Sequence, residues 1–70
     1  MDYELLLNEI INIGKEMIKS GAETNRVEDS MYRMLESYDI GQCSVVAIQS
    51  NIQVTIRSKD GTFITQVRRV

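Results

Sequence analysis

Histidine, tryptophan and proline are absent from this 70-residue chain, and cysteine and phenylalanine each occur once. With no His and one Cys, zinc sites built from those ligands are excluded. So are Ser-His-Asp and Cys-His catalytic arrangements. A lone Cys43 forms no internal bridge and points to a reducing compartment. Without Pro there is no Pro-rich linker, and no repeat or low-complexity stretch breaks the chain. A basic excess is lacking too: 8 Lys and Arg stand against 10 Asp and Glu, a net charge of −2. That balance argues against nucleic acid as a partner. No apolar run approaches the roughly 18–20 residues needed to cross a bilayer. The start, Met1-Asp2-Tyr3-Glu4, lacks the positive region of a secretory signal. No metal or other cofactor is expected.

What remains is one small domain over residues 1–70. A chain this short buries only about 60% of its unfolded surface, leaving a stability margin of roughly 3–5 kcal/mol. Residues 2–19 have the pattern of an amphipathic helix. At 100° per residue, Tyr3, Leu6, Leu7, Ile10, Ile11, Ile13, Gly14, Met17 and Ile18 share an arc of roughly 160°. Leu5 is the one apolar residue on the polar side. Gly14 near the centre of the arc predicts close approach of another element, since Gly there costs roughly 0.5–1 kcal/mol against Ala. The helix stops near Ser20-Gly21, where Gly21 can adopt the left-handed conformation.

Ser20 and Glu23 then fit the S-x-x-E capping box of a second helix over about 22–38, with Thr24 or Asn25 as alternative caps. Val27, Met31, Met34, Leu35 and Tyr38 form its apolar stripe, bordered by Glu23 and Glu28. Glu23/Arg26 and Asp29/Arg33 are spaced to pair on the helix, each pair worth about 0.2–0.5 kcal/mol. Strands are expected over about 43–49, 52–58 and 62–69. Ser50-Asn51 forms the first turn and Lys59-Asp60-Gly61 the second, a strong hairpin signal. The expected fold is α+β: ααβββ, a helix hairpin packed on a three-stranded antiparallel meander. A strand reaching the last residue reads as the front part of a longer protein.

Chemistry-bearing residues concentrate in Ser20–Glu28. As an enzyme site, Ser20 would be a nucleophile with a carboxylate base. A carboxylate of ordinary pKa is a weak base for that task, and capping accounts for Ser20 and Glu23 without chemistry. Glu23, Glu28 and Asp29 diverge on a helix, so they do not form a cation site unaided. Arg68 and Arg69 face opposite sides of a strand. They read as solvated strand-end charges, or as contacts to anionic headgroups or to acids on the second helix. Met17, Met31 and Met34 read as core filler, and Cys43 as a small strand hydrophobe.

Several of these segments together resemble the N-terminal domain of the threonine/serine exporter family. Ile13-Gly14-Lys15-Glu16-Met17-Ile18-Lys19-Ser20 is similar to the family's "hIGExLLxSGAET" helix end, with Lys15 as a departure and the acid following at Glu16. Gly21-Ala22-Glu23-Thr24 and Arg26-Val27-Glu28-Asp29-Ser30-Met31 continue the resemblance, with Leu35 and Tyr38 at the family's spacing. Thr65-Gln66-Val67-Arg68-Arg69-Val70 resembles its "T-x-V-R-R-V" strand. The resemblance implies a domain on the cytoplasmic face of the cell membrane, preceding a transmembrane bundle that exports amino acids or small carboxylates. Ser20, Gly21, Glu23, Thr24, Arg26, Glu28, Arg68 and Arg69 are the motif and candidate binding residues.

Three functions follow as expectations. The first is a non-enzymatic accessory, regulatory or assembly domain whose partner is the transmembrane part of the same or a companion protein. In the second, a small-ligand or hydrolase-like site surrounds Ser20–Glu28, with Arg26 clamping a carboxylate and Glu23 or Glu28 taking an amino group. The third is a self-association module giving a homo-oligomer through a strand edge or the first helix.

Overall fold

A computed structural model describes residues 2–70. Two helices, α1 (Tyr3–Lys19) and α2 (Thr24–Glu36), precede three strands, β1 (Gly41–Ile48), β2 (Asn51–Ser58) and β3 (Phe63–Arg69). The strands pair antiparallel in the order β1-β2-β3. Both helices lie on one face of this meander, α2 over β1 and α1 over β2 and β3. The α+β helix hairpin on a meander is therefore the observed architecture.

α1 begins at Asp2, whose carboxylate accepts the Leu5 amide at 3.1 Å and satisfies one of the free N–H groups of the first turn. It ends in a Schellman motif. Ala22 N–H donates to Met17 C=O and Gly21 N–H to Ile18 C=O, both at 3.0 Å. Gly21 takes a φ of +93°, the left-handed conformation the motif requires.

This motif overturns the expected capping box. Ser20 is the C-cap of α1, and the N-cap of α2 is Glu23, with no side-chain cap bond. Tying Ser20 into the end of the first helix leaves it three residues short of the second. Thr24 and Asn25 fall inside α2 instead of capping it. The helix is correspondingly shorter than the expected 22–38. The Glu23/Arg26 ion pair does not form among the described residues, whereas Arg33 meets Asp29 at 3.1 Å. Glu23 has extended backbone (φ −68°, ψ 143°), so its side chain leaves the ladder that sets i,i+3 neighbours together.

The core lies between the helix pair and the sheet. α1 contributes Leu7, Ile10 and Ile11; α2 contributes Val27, Met31 and Leu35; the sheet contributes Ala47, Ile52, Val54 and Ile56. Each large side chain so buried is worth about 1.5–3 kcal/mol. β2 is paired on both sides, and its inward residues Ile52, Val54 and Ile56 are fully covered. Gly14 is buried where α1 meets α2: a Cβ there would collide with Met31 Sδ and come within 3.3 Å of Ile52 Cδ1. The predicted close approach is therefore to a side chain of α2 and one of β2. The apolar arc of α1 is narrower than expected, since Ile13 is 46% exposed, and Tyr38 lies outside the α2 stripe at 49%.

The β1–β2 hairpin turns at Gln49-Ser50, one residue earlier than expected, because Ile48 pairs with Asn51. At the second turn the D-G signal is realised with extra hydrogen bonds. The Ser58 hydroxyl donates to the Asp60 carboxylate, and Thr62 N–H donates to both side chains at 3.0 Å.

Candidate functional site

The residues singled out from the sequence divide among three places. Ser20, Gly21, Glu23, Thr24 and Arg26 sit at the α1–α2 corner, Glu28 faces the sheet, and the two terminal arginines lie on opposite faces of β3.

At the corner, the Schellman turn brings the end of α1 beside the first turn of α2. An open concavity of about 690 Å³ runs along α1 there, lined by Ile13, Glu16, Met17, Ser20, Gly21 and Ala22, with Asn12 at its edge. A second, of about 600 Å³, is lined by Met17, Ala22, Asn25, Arg26, Asp29 and Ser30. They share Met17 and Ala22, but Ser20 opens into the first and Arg26 into the second. Glu23 and Arg26 are exposed, and no ion pair engages either among the described residues. Asn25 Oδ1 accepts the Arg26 backbone amide at 2.9 Å, and the exposed Arg26 side chain makes no hydrogen bond or ion pair among the described residues. Asp29, which lines this concavity with Arg26, is engaged by Arg33.

Glu28 is built into the fold. Half-buried on α2, it accepts the Ala47 amide of β1 at 2.7 Å. β1 is an edge strand, and this outward N–H has no strand to pair with. A long acidic side chain reaching down from the helix supplies the missing acceptor. The pairing could not be read from the sequence, because it joins residues 19 apart through the packing of α2 on β1.

Arg68 corrects another expectation. Half-buried, it meets no acid of the second helix and is tied to α1 where a solvated strand-end charge was expected. Its guanidinium donates from Nη1 to Asn12 Oδ1 and from Nη2 to Asn8 Oδ1, forking across one turn of α1. Gln66 Nε2 adds a bond to the Glu4 carbonyl at 3.2 Å. Sequence reasoning missed Asn8 and Asn12. Their signal was an i,i+4 amide pair on the border of the apolar arc, spaced for a bidentate partner. Arg69, one residue on, is exposed on the other face of the sheet, as strand alternation requires.

Cys43 is half-buried on the inner face of β1, and its thiol pKa is raised, by burial first and then by the charge of Glu36. A raised pKa disfavours the reactive thiolate. Nearby, the Tyr32 hydroxyl is also raised, chiefly by Glu36. Met31 is buried and Met17 and Met34 pack against the core, the positions of filler. Among the described residues no three His, Cys, Asp or Glu side chains gather as metal ligands. Nor, among them, is any helix long and apolar enough to cross a membrane.

The family model described as "putative threonine/serine exporter" matches residues 9–70, from within α1 to the end of the chain. Neither a curated protein nor a solved structure matches. The family match takes in the α1–α2 corner, all three strands and both terminal arginines, and the chain belongs to the threonine/serine exporter family.

Proposed function

We propose that this chain is an accessory domain of an amino-acid exporter, acting at the cytoplasmic face of the membrane through contact and without catalysis. Its α1–α2 corner is the surface offered to the transmembrane part of the exporter. One observation carries this reading. Two charges of the family-like run are spare: Glu23 and Arg26 are exposed with no intramolecular ion pair among the described residues, and the concavity that Arg26 lines adjoins, through Met17 and Ala22, the one along α1 lined by Ile13. A fold that needed this run only for its own stability would have used the charges for caps or bridges. An exposed apolar patch rimmed by polar residues is the usual form of an interaction site. Photo-crosslinkers placed at Ile13 and Arg26 in membranes carrying the whole exporter test the proposal. Adducts to the membrane segments or to a companion subunit are the expected result. Labelling by solvent quencher alone, in every transport state, removes it.

A second reading rests on Arg26. Its guanidinium opens into the 600 Å³ concavity with Asn25 and Ser30, where it could fork a small carboxylate. Titration of the chain with serine, threonine and dicarboxylates at millimolar concentration, followed by amide NMR, decides for it if shifts centre on Arg26 and against it if they do not.

A further inference from the structure

The sheet has a second face, turned away from both helices, and no element among the described residues packs on it. Along its flanks run two apolar rails, Val46 and Ile48 on β1 and Phe63 and Val67 on β3, each more than half exposed, with Phe63 at 68%. Between them β2 presents Asn51, Gln53 and Thr55 as a polar floor. At the Arg57–Phe63 end a shallow concavity of about 490 Å³ wraps the β1 edge, lined by Gln42, Ser44, Thr55, Arg57 and Phe63 and, from the helical side, by Tyr32 and Cys43.

The charge on this face is one-sided. All 10 carboxylates of the chain lie in the helices, their caps and the turns, and none is in a strand. The outward strand positions hold two charges, Arg57 and Arg69, both positive and both exposed. Arg57 pairs in register with Phe63, and Arg69 with Asn51, so the guanidiniums mark opposite ends of the face. Six residues of strand separate them, about 20 Å at 3.3 Å per residue.

We infer that this face seats an acidic amphipathic helix of a partner protein. Three strands at about 4.8 Å spacing span roughly 10 Å between the outer two, which is the diameter of one α-helix. A helix lying along β2 touches both apolar rails and crosses the floor of amide and hydroxyl groups. Carboxylates about 14 residues apart, at 1.5 Å rise per residue, meet Arg57 and Arg69 together. A second copy of this chain is a poor occupant, because its own open face brings two more arginines and no acid. Two cations 20 Å apart are also fewer than the four to eight that mark an anionic lipid surface.

This inference does not rest on the exporter reading, and its test uses the isolated chain. A displayed library of 20-residue amphipathic helices, with Glu, Gln and Lys varied along the flanks, is selected against the chain and against Arg57→Glu/Arg69→Glu. Both arginines are exposed, and circular dichroism checks that the double variant keeps the fold. The expected result is enrichment of acidic helices with carboxylates about 14 residues apart, bound about tenfold or more weaker by the double variant. Amide NMR with one enriched peptide should place the shifts on Val46, Arg57, Phe63, Val67 and Arg69. Three outcomes overturn the inference: no enrichment, enrichment indifferent to charge, or shifts confined to the helical side. Sedimentation of the chain with phosphatidylglycerol vesicles, abolished in the double variant, would assign the face to a membrane. A dimer in light scattering that Val67→Glu dissociates would assign it to a second copy.

Discussion

The Glu28 carboxylate caps the Ala47 amide at 2.7 Å, joining the middle of α2 to the free edge of β1. Ala47 is 5% exposed, so water does not readily replace the lost acceptor. Glu28→Ala should cost about 1–3 kcal/mol in urea unfolding, the penalty for stranding a buried donor. Glu28→Gln, which keeps an acceptor oxygen at similar reach, should recover most of it. Hydrogen exchange at Ala47 is the local check: protection should fall in the alanine variant more than at neighbouring strand amides.

Gly14 and Met31 are matched in volume. Gly14→Ala improves helix propensity by about 1 kcal/mol but forces a methyl group into the buried Met31 Sδ. Overpacking a filled core costs about 1–3 kcal/mol, so the variant should be less stable on balance. Combining it with Met31→Val, which vacates the colliding atom, should give a double-mutant coupling of favourable sign. Additive losses would mean that the methyl group finds room elsewhere.

Adjacent arginines should behave oppositely. Arg68→Ala removes the fork to Asn8 and Asn12, which joins α1 to the last strand, and should lower stability by about 1–2 kcal/mol, the low end for charged hydrogen bonds at a half-exposed site. Arg69→Ala, exposed on the outer face, should stay within about 0.5 kcal/mol of the parent. Thermal unfolding of the two variants side by side makes the comparison.

Asp60 supplies a pH dependence. Hydrogen bonds from the Ser58 hydroxyl first, then from Thr62, lower its pKa from 3.8 to about 2. A depressed folded-state pKa means the unfolded chain binds the proton more readily. The contribution is therefore complete above about pH 4 and is lost as pH falls from there towards 2. Asp60→Asn should flatten the acid limb of the stability profile in that window and leave its slope near neutrality unchanged.

Much of the fold was legible because periodicity carries it. The 3.6-residue spacing of Leu7, Ile10, Ile11 and Gly14 placed α1. The alternation of Ile52, Val54 and Ile56 placed β2, and D-G placed the second turn. Local chemistry with two solutions was less legible. Ser20 fits both a capping box and a Schellman C-cap, and the left-handed Gly21 beside it decided for the latter. At the candidate site, the sequence located the corner but could not separate its spare residues from its structural ones. Glu28 and Arg26 are two residues apart, yet one faces a strand edge and the other solvent. Only the docking of α2 on β1 distinguishes them. The same holds for Arg68, whose partners lie 56 and 60 residues earlier in the chain.

That long reach between the first helix and the last strand has a consequence during synthesis. The α2, β1 and β2 segments can meet while translation continues, since their contacts are near in sequence. α1 can dock on α2 early, through Gly14 and Met31, but its contacts with β2 and β3 form only once those strands have left the ribosome. The side of α1 that faces the sheet is therefore covered last, although the helix is made before the strands that cover it.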